Sequence, residues 1–336
     1  MKGVSAFARA SADTPSPRAL LGGLALIAGL AVLLSLAVGP TGALIDAMPG
    51  ARALIFWEIR LPRALLGALV GMALGLSGAA LQGYLRNPLA EPSIIGVSGG
   101  AALGAVVAIH LGLAQMFAVA LPIGGLLGAL VAMLAVLALS GARGGPVTLI
   151  LAGLAVSALA TALISLALNL SANPFASVEM VFWMMGSLAD RSLTHVWLAA
   201  PLIALGVALL MRAGRALDAL TLGEDAAQSM GVDLTRTRLQ IVVGTALAVG
   251  AATAVTGVIG FVGLIVPHAL RPLAGHRPGL LLSASALGGA ALLTTSDVAL
   301  RLAQPLVDLR IGVFTALIGA PFFVWLVLRL RRQLAP

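Results

Sequence analysis

Long apolar runs, separated by short polar gaps, fill most of this chain. Each run holds roughly 20 residues of Ala, Leu, Val, Ile and Gly, the length a helix needs to cross a bilayer's hydrocarbon core. Read between the polar breaks, the pattern predicts about ten spans. They cover 19–38, 61–83, 93–109, 117–139, 147–169, 193–211, 239–257, 259–273, 279–296 and 311–330. The eighth is short and interrupted by Pro267, so it is expected to bend or to cross only in part. No gap is long enough for a separate soluble domain. The expectation is an all-α polytopic membrane protein, one domain over 1–336. It comprises a tail (1–18), spans one to six (19–211), a polar loop (212–238), spans seven to ten (239–330) and a tail (331–336).

Composition agrees with the pattern. The 336 residues are 60% hydrophobic and 10% charged, against about 25% charged in soluble domains. The net charge of +8 is scattered between spans and lacks an aromatic-rich basic patch, so nucleic acid is not an expected partner. There is no cysteine, hence no disulfide and no Cys-based metal site. His110, His195, His268 and His276 show no metal-ligand spacing, and no catalytic residue or metal is expected. Lys2, Arg9 and Arg18 precede the run Ala19–Val38, which is too long for a signal-peptide core and reads as a retained first span.

An even number of spans puts both termini on one side. Placing them in the cytoplasm leaves Arg52, Arg60, Arg63, Arg191, Arg301 and Arg310 outside and the other Lys and Arg residues inside. That excess inside follows the positive-inside rule. VGMALGLSG (70–78) and VGAATAVTG (249–257) share V-G-x-A-x-x-x-[ST]-G and lie in spans two and seven, which cross in opposite directions. The pair predicts an inverted repeat, spans two to five against seven to ten, with small residues at close helix contacts. Chance similarity in Ala/Gly-rich sequence is the competing reading.

The energy source is then the question. The single lysine, Lys2, leaves no P-loop. No expected span interior carries a carboxylate of the kind ion-coupled transporters use, Asp297 lying at the edge of span nine. The driving force is therefore expected from a separate ATPase. One polar island, LTLGEDAAQSMGVDLTRTR (220–238), faces the cytoplasm. Thr221 and Glu224 form a T-x-x-E capping box, and Gly231 is a C-terminal cap. Leu222, Ala226 and Met230 recur as an apolar stripe, with Glu224 and Asp225 on another side. A short amphipathic helix of this kind fits a groove on a partner, or rests on the bilayer surface. Arg236 and Arg238 read as anchors for the start of span seven at the inner leaflet.

Four stretches carry a family resemblance: RLPRALLGALVGMALGLSGAALQGYLRNPLAEPSIIGVSGGAALGA (60–105), LGEDAAQSMGV (222–232), GFVGLIVPHALRPLAG (260–275) and IGVFTALIGAPFFVWLV (311–327). Together they resemble the permease subunits of type II ATP-binding-cassette importers, the family for ferric siderophores, cobalamin and haem. The resemblance implies a homodimer of ten-helix subunits in the bacterial inner membrane. It also implies two cytoplasmic ATPase subunits, which hold ATP and Mg, and a periplasmic substrate-binding protein. This chain itself would bind no cofactor, and lipid surrounds it.

The resemblance also assigns residues. The island becomes the ATPase-coupling element: Thr221, Leu222, Gly223, Glu224, Asp225, Ala226, Ala227, Met230 and Gly231. Asp225-Ala226-Ala227 followed by Gly231 is similar to the E-A-A-x-x-x-G coupling motif, with Asp for Glu. Arg60, Arg63 and Arg301 match arginines that receive glutamates of the binding protein, with lipid-headgroup anchoring as the plainer alternative. Asn87 and Leu89 match the N-P-L part of the cytoplasmic gate. Pro146 and Val147 fall at its second part, where the family's polar residues are missing.

Ser157, Thr161, Ser165 and Asn169 fall four residues apart along span five and make one polar stripe. Family members line the pathway with this span, so the stripe is a pathway candidate. Hydroxyls bonded back to their own helix are the competing reading. GLSG (75–78) matches a motif of intramembrane serine proteases, with His110 and His268 as conceivable bases. Met180, Met184 and Met185 near Trp183 read as soft packing. The expected function is ATP-driven import of an iron-containing chelate or cobalamin by alternating access. Haem is weakly preferred over ferric siderophore and cobalamin, and an autonomous channel or facilitator is the alternative.

Overall fold

The computed structural model describes residues 15–39, 42–43, 49–141, 144–303 and 309–334. Most of the first tail (1–14), Arg143 and residues 335–336 therefore lie outside the described residues. Among the described residues, eight helices are long and apolar enough to cross a membrane: Pro17–Ala37, Gly50–Tyr84, Ala120–Ser140, Pro146–Asn169, Leu193–Leu220, Leu234–Thr256, Pro278–Ala303 and Ile311–Arg329. They correspond to spans one, two, four, five, six, seven, nine and ten. A two-residue antiparallel pair, Val38–Gly39 with Gly42–Ala43, follows span one.

Spans three and eight are shorter than the sequence pattern predicts. Their helices are Val97–His110 and Val262–Leu270, each entered from an unwound stretch. Before span three the chain makes a 3-10 turn, Pro92–Ile95, and before span eight it runs from Gly257 to Phe261. Both helices start behind a left-handed residue, Gly96 (φ 81°) and Phe261 (φ 66°). Hydropathy registers only that these stretches are apolar. The helix start is set by backbone geometry inside the protein, where unwound backbone is tolerated at membrane depth. Pro267 sits within the span-eight helix and does not cause the break.

The core is built on spans two and seven, which are the most buried, with spans nine, three and eight around them. Spans one, four, five, six and ten turn large apolar side chains outward, among them Leu26, Leu127, Leu159, Leu205 and Leu328. The repeated glycines explain how the central helices approach. A Cβ on Gly71 would lie 2.2 Å from the carbonyl oxygen of Gly289 in span nine, and one on Gly78 1.9 Å from that of Gly263 in span eight. In the second copy, a Cβ on Gly250 would lie 2.7 Å from Ala129 in span four and 3.3 Å from Val97 in span three. The contacts match under exchange of spans two, three and four with seven, eight and nine.

Span nine reaches Ala303 rather than 296. Asp297 is thus no edge residue: it lies inside the helix at 1% exposure. The polar loop also differs from expectation, since a second short helix, Gly214–Leu220, precedes the Glu224–Ser229 helix.

Candidate functional site

Four groups of expected site residues can be placed. At the end of the bundle carrying 213–238, the Glu224–Ser229 helix forms where an acidic first turn meets its N-terminus. The expected capping box does not. Gly223, at φ 103°, is the N-cap, and the Thr221 hydroxyl donates instead to the Asp218 carbonyl at 2.7 Å, closing the preceding helix. Gly231 does cap the C-terminus in the left-handed region (φ 84°), with Val232 N–H donating to Ala227 O at 3.0 Å. The apolar side is also re-registered. Ala227, not Ala226, is buried against the core, while Leu222 and Met230 are 68% and 64% exposed at the two ends of the helix. Asp225 is exposed.

This segment is tied to three other elements. Glu224 pairs with Arg86 at 2.8 Å, with both side chains about half exposed. The Asp218 carboxylate accepts the Gly279 N–H at the start of span nine, at 2.7 Å. Arg238, expected at a lipid headgroup, is 5% exposed and donates to the Gly141 carbonyl at 2.7 Å and to the Ser140 hydroxyl at the end of span four.

The expected gate residues lie next to it. The Asn87 carboxamide oxygen accepts the Leu89 N–H at 2.9 Å, a local turn that shapes the N-P-L segment. Gln82 donates to the carbonyls of Ala90 and Gly263, both at 3.3 Å, and accepts from Arg271 at 2.6 Å. Glu91 accepts the Phe261 N–H. Burial pushes its carboxyl above the usual range, opposed by that bond. The segment is thereby seated on the start of the span-eight helix. Pro146 is the first residue of span five and Val147 is 69% exposed beside it. Pro146 also lines a polar cleft of about 330 Å³ with Tyr84, Glu224, Gln228 and Arg238. Both segments expected to form the gate therefore lie against the 213–238 segment, the first through Arg86 and the second through Pro146. The sequence assigns Gln82, Arg86 and Glu91 no site role and reads Arg238 only as an inner-leaflet anchor, because their partners Gly263, Glu224, Phe261 and Ser140 lie far off along the chain.

At the opposite end, Arg60 and Arg301 are buried, at 4% and 2% exposure, and are not the surface arginines the resemblance implied. Arg60 donates to the carbonyls of Leu36 and Ala37. Arg301 donates to Ser35 O at 3.1 Å, Val38 O at 2.9 Å and Ser35 Oγ at 2.6 Å. Arg63 makes a forked pair with Asp297, at 2.9 Å from Nε and 2.8 Å from Nη2, and Arg301 Nε lies 3.1 Å from the same carboxylate. Such forked, charge-assisted bonds fix geometry. The cluster fastens span one to spans two and nine. Arg310 retains partial access and lies over the Phe182 ring at 5.4 Å.

Along span five, Thr161, Ser165 and Asn169 are exposed on the protomer surface and Ser157 half-buried. Thr161 and Ser165 donate to the carbonyls of Ser157 and Thr161, each at 2.9 Å, so both hydroxyls are satisfied within the helix. The same exposed side carries Leu151 and Leu154. No serine–histidine pair forms at GLSG among the described residues: Ser77 Oγ is buried without a partner, and His268 packs edge-on to Phe322. Met180 and Trp183 belong to a buried apolar cluster.

Comparison with known proteins gives one consistent result. The model of the FecCD transport family matches residues 24–329. An uncharacterized ABC transporter permease protein of Bacillus subtilis, YvrB, is 41% identical over 283 residues, 83% of this chain and 80% of that protein. The vitamin B12 import system permease protein BtuC of Salmonella typhimurium is 40% identical over 312 residues, 92% of this chain and 94% of that one. A solved inward-facing structure described as a metal-chelate type ABC transporter superposes with a TM-score of 0.81 at 32% identity. It covers 93% of this chain and 99% of its own.

Proposed function

The chain belongs to the FecCD transport family and is a type II ABC importer permease, and from that premise we propose that it forms half of a homodimeric pore for a chelate or vitamin. The observation that carries this reading is the convergence of both gate segments on the 213–238 segment, whose helix leaves Leu222 and Met230 uncovered. An exposed apolar pair at the ends of a short, capped helix is a surface for a partner protein. That partner is the ATPase, and the 213–238 end faces the cytoplasm. The binding protein docks on the opposite face, where Arg52 is exposed and Arg63 and Arg310 are partly so. Span five turns its Thr161–Ser165–Asn169 side to the dimer axis.

Vitamin B12 is the first substrate to test, because BtuC at 40% identity is named for it. No residue of this chain favours haem over it. The expected result is ATP-dependent uptake of vitamin B12 into vesicles holding the permease, the ATPase and the binding protein. Uptake of ferric siderophore or haem alone would redirect the substrate and keep the class. Two further outcomes follow. Changing Leu222 and Met230 together to Glu lowers co-purification of the ATPase at least about tenfold, as expected for centrally placed contacts. Full retention would remove the helix from the coupling role. In this cysteine-free chain, thiol labelling at Thr161→Cys and Ser165→Cys changes between nucleotide-free and ATP-bound complexes. Labelling indifferent to nucleotide would leave the stripe facing lipid.

A further inference from the structure

Arg86 lies between the coupling helix and the gate segment. Arg86 terminates span two in the left-handed region, at φ 49°. That position follows a helix end, where glycine is the favoured residue and any side chain adds strain. Here an arginine holds it, and its guanidinium reaches Glu224, 138 residues away, at 2.8 Å. The next residues are the Asn87-Pro88-Leu89 turn, seated on span eight through Gln82 and Glu91. The chain thus places a strained, charged residue where the gate segment meets the helix flanked by Leu222 and Met230.

The other ties of the 213–238 segment differ in kind. Arg238 is buried against Ser140 and Gly141, and Asp218 grips the Gly279 N–H from a part-buried position. Those bonds hold the segment to spans four and nine. The Arg86–Glu224 pair stands in solvent, with side chains 49% and 43% exposed. Exposed pairs contribute little to folding, so stability does not account for it. An exposed pair beside Leu222 and Met230 loses water when a partner covers that surface, and its attraction strengthens as the local dielectric falls.

We propose that Arg86 is a positioning residue: its ion pair with Glu224 is the strut that carries movement of the 224–229 helix to the N-P-L gate segment once the ATPase is bound. The assignment rests on the coupling reading given above. A strut of this kind works only if neither end is free to slide, and each end is fixed. Ala227, on the buried face of the helix, seats it on the core, and Arg86 follows directly on the C-cap of span two, Leu85.

The test uses the assembled complex of permease, ATPase and binding protein. With no native cysteine, Ser229→Cys and Leu89→Cys each give one spin-label site per protomer, one on the helix and one on the gate segment. In the parent complex both labels respond to ATP and Mg. Arg86→Gly relieves the backbone strain and removes the strut, so the variant folds at least as well as the parent. In it, the Leu89 label's response falls at least about fivefold, a coupling loss of the usual size, while the Ser229 label still responds. The exchanged pair Arg86→Glu with Glu224→Arg restores the Leu89 response. An undiminished Leu89 response in Arg86→Gly overturns the strut, and so does a loss that the exchange fails to restore. A Ser229 label silent in the parent complex sinks the coupling reading itself, and the strut with it.

Discussion

Replacing Asp297 by Ala removes about 3–5 kcal/mol of stability, the usual consequence of leaving a buried charge without its partner. The carboxylate is 1% exposed and receives Arg63 on one side and Arg301 on the other. Arg63 and Arg301 share this one carboxylate, so two guanidiniums face a single negative charge before any substitution. The backbone carbonyls of Ser35 and Val38 take part of the load from Arg301. They cannot replace a full negative charge. Asp297→Asn, which keeps the shape and removes the charge, should behave nearly as badly. Adding Arg301→Met to Asp297→Ala should recover part of the loss, because an apolar side chain in that place requires no counter-charge. SDS titration of the purified protein in mixed micelles reads the series. An Asp297→Ala curve that overlays the parent would show that the cluster contributes nothing to holding span one on the bundle.

The periodic part of this architecture was legible in sequence, and the reason is physical. A helix surrounded by lipid must be apolar for about 20 residues whatever it touches, so eight spans announce themselves. Spans three and eight do not obey that rule. Their entries, at 94–96 and 257–261, are buried or half-buried in protein, and hydropathy cannot tell an apolar helix from an apolar loop packed inside. The V-G-x-A repeat gave the close approaches, because a glycine spacing is itself the geometric requirement. Asp297 was misread for the opposite reason: a carboxylate ending an apolar run looks like a boundary until its partner, Arg63, is brought 234 residues back beside it. The polar island was correctly seen as a helix with Gly231 as its stop. Its start was missed because Thr221 serves the preceding helix, Gly214–Leu220, whose alternating composition carries little signal. Arginines are the hardest case. R-L-P-R is a recognisable motif, yet only the fold shows that Arg60 is spent on the end of span one while Arg63 is spent on span nine.

Gly78→Ala should be the most damaging single methyl addition in span two. The new Cβ would sit 1.9 Å from the carbonyl oxygen of Gly263 and 2.6 Å from its Cα and carbonyl carbon. All three are backbone atoms, so no rotamer change relieves the overlap; the span-eight helix must move as a body. Overpacking usually destabilises by about 1–3 kcal/mol when side chains can adjust, and here they cannot, so the upper end or beyond is expected. Helix propensity works in the other direction, favouring Ala over Gly by about 1 kcal/mol, and does not offset it. Gly83→Ala in the same helix is the control. Its Cβ would find Leu217 at 3.5 Å and Pro278 at 3.6 Å, ordinary contacts, so that variant should melt at or slightly above the parent. Thermal melts and yields of monodisperse protein that are equal for the two variants would refute the close approach. The displacement also has a functional reading. Gln82 holds the Ala90 carbonyl and the Gly263 carbonyl together, so pushing Gly263 away from span two pulls on the segment that carries Asn87 and Leu89. A Gly78→Ala protein that still folds should therefore transport poorly while its ATPase partner continues to bind, because Leu222 and Met230 lie on an element this clash does not touch.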